Sequence, residues 1–252
     1  MNRQNITDKN IDIWFDGENF ADGYKDEEFN EIANGFLCGD VLEHGVLTDT
    51  QKALVTLAAL TASGTYGKVE KYALFALKTG ASANEIRETL IQCAPYVGLE
   101  RVNLALKEAY SAFDKAGVLN TITKQGTVDE DTRFDKGLAV QQQIFGADNI
   151  NNMRESAPQE LKHIQDYLSA YCFGDFYTRE TLDLKMRELI TFCAICSLGG
   201  CEPQAKAHAA ANISVGNTRE ILIDAITQCL PFIGFPRTLN AISCIDAVTI
   251  QK

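Results

Sequence analysis

The chain has 252 residues, 46% of them hydrophobic and 23% charged, with 34 acidic residues against 23 Lys and Arg, a net charge of −11. That composition belongs to a globular protein able to bury a sizeable core without disulfide staples. The acidic balance argues against nucleic acid and anionic membrane surfaces, which demand clustered Lys and Arg, but a small anionic substrate is compatible because it meets only the field of its own pocket.

Taken in chain order, the segments read as helices, with almost no strand signal. Residues 1–25 are polar and acidic and are expected to form a loosely held N-terminal arm. They contain no apolar h-region, and no stretch of 18 apolar residues follows, so a cytoplasmic location without a membrane span is expected. A helix is predicted over Asp26–Leu42, then a turn at His44-Gly45. Thr48 or Asp49 caps the next helix, which Gly64 and Gly67 break. A third helix ends at Gly80, and Ser82 with Glu85 forms a capping box for a fourth. A fifth runs from Gly98 to about Gly117. Residues 118–131 read as a polar linker. Beyond it come a helix at Arg133–Phe145, an Asn-rich turn at Asn149–Asn152, and helices over Pro158–Tyr177, Asp183–Leu198, Pro203–Val215, Thr218–Leu230 and Phe235–Thr249.

The pattern is a duplication. Gly39-Asp40 corresponds to Gly174-Asp175 and Leu47 to Leu182, both 135 residues on, while Gly80 pairs with Gly216 and Gln92-Cys93 with Gln228-Cys229, 136 residues on. Self-similarity of this length marks one structural unit used twice. The expected organisation is a first repeat over residues 26–117 and a second over 132–252, in an all-α fold of two packed multi-helix units. The copies differ in their polar residues. The second has Glu188, Cys201, Gln204 and His208; the first has Ala53, a position near Thr65, Lys68 and Tyr72.

Those four residues make the second copy the candidate site. Gly199-Gly200 ends one helix and Pro203 suits the first turn of the next, so Cys201 falls at a helix N-terminus, where the dipole favours a thiolate. Gln204 and His208 are four apart and Cys201 and His208 seven, spacings that share a helix face. Glu188, on the preceding helix, reaches that face if the two helices are antiparallel. A carboxylate beside an imidazole orients the ring for proton transfer. Singly, a helical His or Glu is an ordinary structural residue; their joint absence from the first copy singles them out. The other cysteines, including the Cys193-Ala194-Ile195-Cys196 pair inside an apolar helix, read as core residues. The sequence carries no motif for a metal or an organic cofactor, so none is expected.

The stretches FDKGLAVQQQIFGAD, AYCFGDFYTRETLDLKMRELITFCAI and HAAANISVGNTREILIDAITQCLPFIGFPRTLNAI resemble the carboxymuconolactone decarboxylase family, which includes the alkyl hydroperoxidase D-like proteins. The likeness spans about Phe134–Val248 and again about Asn30–Phe113. It implies an all-α fold and obligate homo-oligomers, three fused chains giving six units. Two activities are implied. In the decarboxylase branch, an acid/base histidine, matched by His208 with Glu188 beside it, protonates the carbon that loses its carboxyl group of a small anionic lactone or organic acid, with Gln204 as a substrate contact. In the peroxidase branch, a CxxCxxxH motif forms a redox disulfide; Cys201 matches its first cysteine, but Gln204 stands at the second, which turns the expectation toward acid/base chemistry. A non-catalytic oligomeric binding protein is the third reading.

Overall fold

The computed structural model describes residues 2–20 and 26–250, and every regular element among them is helical. The first repeat contains α1 (Arg3–Phe15), α2 (Glu27–Asn34), which runs on into a wide π-helical segment at Gly35–Val41, α3 (Asp49–Ser63), α4 (Val69–Lys78), α5 (Ala83–Gln92), the short α6 (Ala94–Val97) and α7 (Leu99–Lys115). The second contains α8 (Arg133–Phe145), α9 (Ala147–Ser156), α10 (Lys162–Tyr167) with its own π-helical continuation Leu168–Tyr177, α11 (Leu184–Leu198), α12 (Glu202–Ser214) and α13 (Arg219–Thr249). Gly234, at φ 75° and ψ 166°, kinks α13 and separates the two helices expected there.

Local chemistry sets the boundaries. Thr48 and Gln51 close a reciprocal capping box on α3, as Ser82 and Glu85 do on α5. Asp183 caps α11 by accepting from the Met186 N–H at 2.8 Å. Gly64 ends α3 in the left-handed conformation (φ 76°), which costs glycine least. Helices α3 and α11 are apolar on all sides and pack against each other at the centre. Ala58, Ala59 and Ala194 are fully buried in the core shared by the two copies, so small side chains let the helices approach closely.

The arm expected at residues 1–25 is corrected in its first part. Arg3–Phe15 is a docked helix, capped by the Asn2 side chain at 2.9 Å from the Asn5 N–H. Trp14 and Phe15 are buried, and Trp14 stacks on Phe75 at 3.5 Å between centroids. Only Thr7, Asn10, Trp14 and Phe15 turn inward, too sparse a stripe to show in a polar sequence. Of the rest of that segment, residues 1 and 21–25 lie outside the described residues. A second correction concerns Asn149–Asn152: these asparagines sit inside α9, whose one buried residue, Ile150, anchors it.

Helix α1 proves to be the counterpart of α8, and the Gly-Asp pairs explain why. Arg3 holds Asp40 through two bonds at 3.1 and 2.6 Å, and Arg133 holds Asp175 in the same two-pronged manner. A Cβ on Gly39 would stand 2.5 Å from Thr7 Oγ1; one on Gly174 would stand 2.2 Å from the Arg133 carbonyl oxygen. The glycine admits the crossing helix and the aspartate fastens it.

The Gln-Cys pairs have an equally physical role. Gln92 and Gln228 are buried and each reaches into the other repeat: Gln92 accepts from Arg187 Nη1 at 2.8 Å, and Gln228 donates to the Val41 carbonyl at 3.1 Å. One turn earlier, Glu88 receives Arg179 at 2.7 and 2.9 Å, and Asp224 receives the Val46 and Leu47 N–H groups at 2.7 Å each. Burial alone would push Glu88 up, but the hydrogen bond and charge of Arg179, with Arg187 behind it, bring it below the usual carboxylate value. Burial lowers Arg187 to about 10, which still leaves it charged at neutral pH.

Candidate functional site

Helices α11 and α12 lie side by side and bring Glu188 to His208. The carboxylate Oε2 is 2.8 Å from His208 Nδ1, and Glu188 is fully buried. Asn212, one turn beyond His208, fixes the register by donating to the Glu188 carbonyl at 2.9 Å and the His208 carbonyl at 2.8 Å. With Nδ1 engaged, Nε2 is the ring nitrogen that has no protein partner among the described residues.

A directed chain of hydrogen bonds ends at Glu188. Its Oε1 accepts from the Tyr177 hydroxyl at 2.7 Å. Burial, then the Glu188 charge, raises Tyr177 well above the ordinary tyrosine range, so the phenol keeps its proton. An ionised carboxylate only accepts, so that proton points at Glu188, and both other neighbours of the Tyr177 oxygen must donate to it. These are Tyr96 and Thr191, each at 3.0 Å. Thr191 in turn accepts from Gln92 Nε2 at 3.2 Å. Tyr96 and Gln92 belong to the first repeat. The copy without the histidine therefore supplies part of the surroundings of the copy that has it.

His208 opens on a cavity of about 570 Å³ walled by Tyr96, Phe145, Met153, Leu168, Tyr171 and their neighbours, with Gln204 on the same side as the histidine. That volume lies within the range of small-molecule sites. Phe145 and Tyr96 meet the imidazole edge-on, both with centroids 5.4 Å away and interplanar angles of 87° and 90°. Cys172 lies on the wall and donates to the Tyr96 hydroxyl at 3.5 Å. Burial pushes its thiol up to about 12, which removes it as a nucleophile at neutral pH.

In the first repeat the corresponding cavity, about 810 Å³ and lined by Phe29, Phe36 and Lys68, has no histidine among the described residues of its wall. Tyr72 stands where His208 would, flanked by Phe15 at 5.9 Å and Phe232 at 5.7 Å, the counterparts of Phe145 and Tyr96. Phe20 packs edge-on against both Tyr72 and Phe232. The Tyr72 hydroxyl is buried without a hydrogen-bond partner among the described residues. Ala53 offers no carboxylate.

Cys201 is where the expected geometry departs. It caps α12 from a non-helical conformation (φ −123°, ψ 35°) and is half-buried. Its sulfur faces the Gly199 carbonyl at 3.5 Å in a small crevice shared with Cys196, Cys244 and Arg237. It does not line the His208 cavity. Because Cys201 lies outside the regular helix, the seven-residue spacing to His208 does not place the two side chains on one face. The other seven cysteines are buried and all eight are free. Among the described residues, no group of three or more His, Cys, Asp or Glu side chains is arranged to hold a metal ion, and no helix is long and apolar enough to cross a membrane.

The sequence profile of the carboxymuconolactone decarboxylase family matches residues 27–110 and 162–247. The chain belongs to the carboxymuconolactone decarboxylase family. It carries the family's unit twice, and the two matched segments are the two halves that the duplication defines. Among its relatives, 4-carboxymuconolactone decarboxylase of Acinetobacter baylyi is 24% identical over 121 residues, 48% of this chain and 90% of the relative. Nitrosuccinic acid decarboxylase of Metarhizium robertsii is 24% identical over 119 residues, 47% of this chain and 78% of the relative. Each thus corresponds to roughly one unit of this carboxymuconolactone decarboxylase-like tandem.

Within the site, Tyr177, Tyr96 and Thr191 are the residues that sequence reasoning passed over. A signal for the first existed: Leu42 occupies its equivalent position in the first copy. Thr191 matches Thr56 and gave none, and the part played by Tyr96 depends on how the copies pack.

Proposed function

We propose that the protein is an acid/base decarboxylase of a small organic acid, with His208 as the proton-transfer residue and Glu188 as its orienting partner. The observation that carries this reading is the buried 2.8 Å contact between Glu188 Oε2 and His208 Nδ1 beside a cavity of small-molecule size. With Nδ1 bound to the carboxylate, the imidazole presents Nε2 to the substrate. The bond from carbon to carboxylate breaks, CO2 leaves, and the electron pair stays on carbon, delocalised into an acceptor group of the substrate. The imidazolium then gives its Nε2 proton to that carbon, and the neutral ring regains a proton from water. Glu188 stabilises the imidazolium while it is charged, and Tyr177 holds the carboxylate in place. The two relatives named as decarboxylases support this class of reaction.

Thiol peroxidase chemistry is less well supported, because Cys201 faces a separate crevice and Gln204 stands where a second motif cysteine would be. The test compares wild type with His208→Ala, Glu188→Gln and Cys201→Ser. 4-Carboxymuconolactone and nitrosuccinate are supplied in D2O, with CO2 release and deuterium at the former carboxyl carbon as readouts. Activity lost in the first variant, strongly reduced in the second and kept in the third is expected. Turnover that needs Cys201 and not His208 would overturn the reading.

We further propose that three chains associate as a homotrimer. The number three is what the family resemblance implies; apolar side chains exposed at the mouths of the two cavities, Phe29 and Ile32 in the first copy and Ile164 and Tyr167 in the second, offer surface for the association. Light scattering should give three times the 27.7 kDa chain mass; a monomer would refute it.

A further inference from the structure

One branch of the hydrogen-bond chain at Glu188 starts in the other repeat. Tyr96, on α6, donates to Tyr177 at 3.0 Å and accepts from the Cys172 thiol at 3.5 Å. Burial holds Tyr96 well above the ordinary tyrosine range, so its phenol keeps its proton. Around Tyr72 each member of this branch has an apolar counterpart: Leu37 for Cys172, Phe232 for Tyr96, Leu42 for Tyr177 and Ala53 for Glu188. The second branch, Thr191 and Gln92, matches Thr56 and Gln228 and is common to both copies. Tyr96 and Phe232 do the same packing work, since each meets its partner ring edge-on, Tyr96 at 5.4 Å from His208 and Phe232 at 5.7 Å from Tyr72. Packing thus accounts for the ring. It does not account for the hydroxyl, which only the ring facing the histidine carries.

A hydroxyl that receives a hydrogen bond donates a stronger one, and in a low-dielectric interior the effect passes down a chain. Tyr96 therefore strengthens the 2.7 Å donation from Tyr177 to Glu188 Oε1. That donation draws carboxylate charge away from Oε2, the oxygen that holds His208 Nδ1 at 2.8 Å. The balance bears on proton transfer. A carboxylate whose charge is concentrated on Nδ1–H stabilises the imidazolium so firmly that its Nε2 proton leaves slowly. On the acid/base reading given above, we infer that Tyr96 of the first repeat is a positioning residue for the second repeat's site, acting through Tyr177 to set how strongly Glu188 holds His208. The copy without the histidine then takes part in the chemistry and does more than wall the cavity.

Tyr96→Phe in the full chain tests this, because it keeps the ring against the imidazole and removes only the hydroxyl. Proton spectra of the protein with 15N-labelled histidine read the Nδ1–H of His208 without any substrate. The resonance should move downfield in Tyr96→Phe and further in Tyr177→Phe, as Glu188 turns its charge toward Nδ1. Cys172→Ala, which leaves Tyr96 without its own donor, should move it the same way by less. In the Tyr177→Phe background, Tyr96→Phe should add nothing, since its route to Glu188 is gone. With 4-carboxymuconolactone or nitrosuccinate, kcat for CO2 release should fall about three- to tenfold in Tyr96→Phe with KM nearly kept, the scale of one neutral hydrogen bond. A resonance that stays in place in Tyr96→Phe, or that moves equally with and without the Tyr177 hydroxyl, would overturn the inference. So would a loss of turnover carried by KM alone. A shifted resonance together with CO2 release that does not need His208 would instead sink the acid/base reading and leave the coupling between the copies standing.

Discussion

Replacing Glu188 by Gln probes the centre of the site while keeping its shape. In the wild type, the Glu188 carboxylate can only accept, so Nδ1 carries a proton toward it and Nε2 faces the cavity. The Gln amide keeps one acceptor oxygen. Tyr177, whose proton already points at Glu188 across 2.7 Å, claims that oxygen. The amide NH2 is then turned toward Nδ1, 2.8 Å away, and a donor facing a donor forces the ring into the other tautomer. Nδ1, facing that donor, can no longer carry a proton, so the ring does not become the imidazolium that gives Nε2–H to the substrate carbon, and the counter-charge for that imidazolium is gone. General acid/base contributions of ~10²–10⁴ set the scale, so we expect turnover to fall by ~10²–10³, about 3–4 kcal/mol of barrier. Stability should fall less, by roughly 1–2 kcal/mol, since the variant exchanges one charge-assisted bond for a neutral one. Two-bond 15N–1H correlation spectra of the imidazole read the tautomer without any substrate, and urea denaturation reads the stability. A variant that keeps the proton on Nδ1, or turns over like the wild type, would refute the directed hydrogen-bond chain.

Tyr72→Phe removes a fully buried hydroxyl that has no partner among the described residues; it should leave stability unchanged or raise it by up to about 1–2 kcal/mol, measured by calorimetry, and a loss of that size would reveal a partner. Gly174→Ala drives a methyl to 2.2 Å from the Arg133 carbonyl oxygen, so α8 must shift, at a cost of about 3 kcal/mol or more in urea midpoint experiments; wild-type stability would contradict the close crossing. Glu88→Gln leaves Arg179, Arg187 and Arg87 facing a neutral amide and should cost ~3–5 kcal/mol at neutral pH. Because Glu88 is shifted below its usual 4.5, its stabilisation is fully present above that value and lost as pH falls through the lower folded value. The gap between wild type and variant in denaturant titrations should therefore close only below about pH 4.5, and a gap that closes between pH 6 and 8 would assign the effect elsewhere (about the range in which histidine titrates).

The duplication, the helical class and most helix limits were legible in the chain, because caps, glycine stops and apolar periodicity are local. So were Glu188 and His208, since a copy that lacks them stands beside one that has them. Helix α1 was not: its four inward residues are spread over a polar segment, and their meaning depends on Gly39 and Asp40, far along the sequence. Cys201 misled, because helix-face spacing holds only for residues within the helix and Cys201 caps it from outside. Packing alone decided that Tyr96 and Gln92 of the first repeat complete the surroundings of the second, and that Gln92 and Gln228 each reach into the opposite copy. Sequence specifies what each residue offers within a turn or two of itself. Which copy receives that offer is set by the close approach of α3 and α11, a contact between residues more than a hundred positions apart.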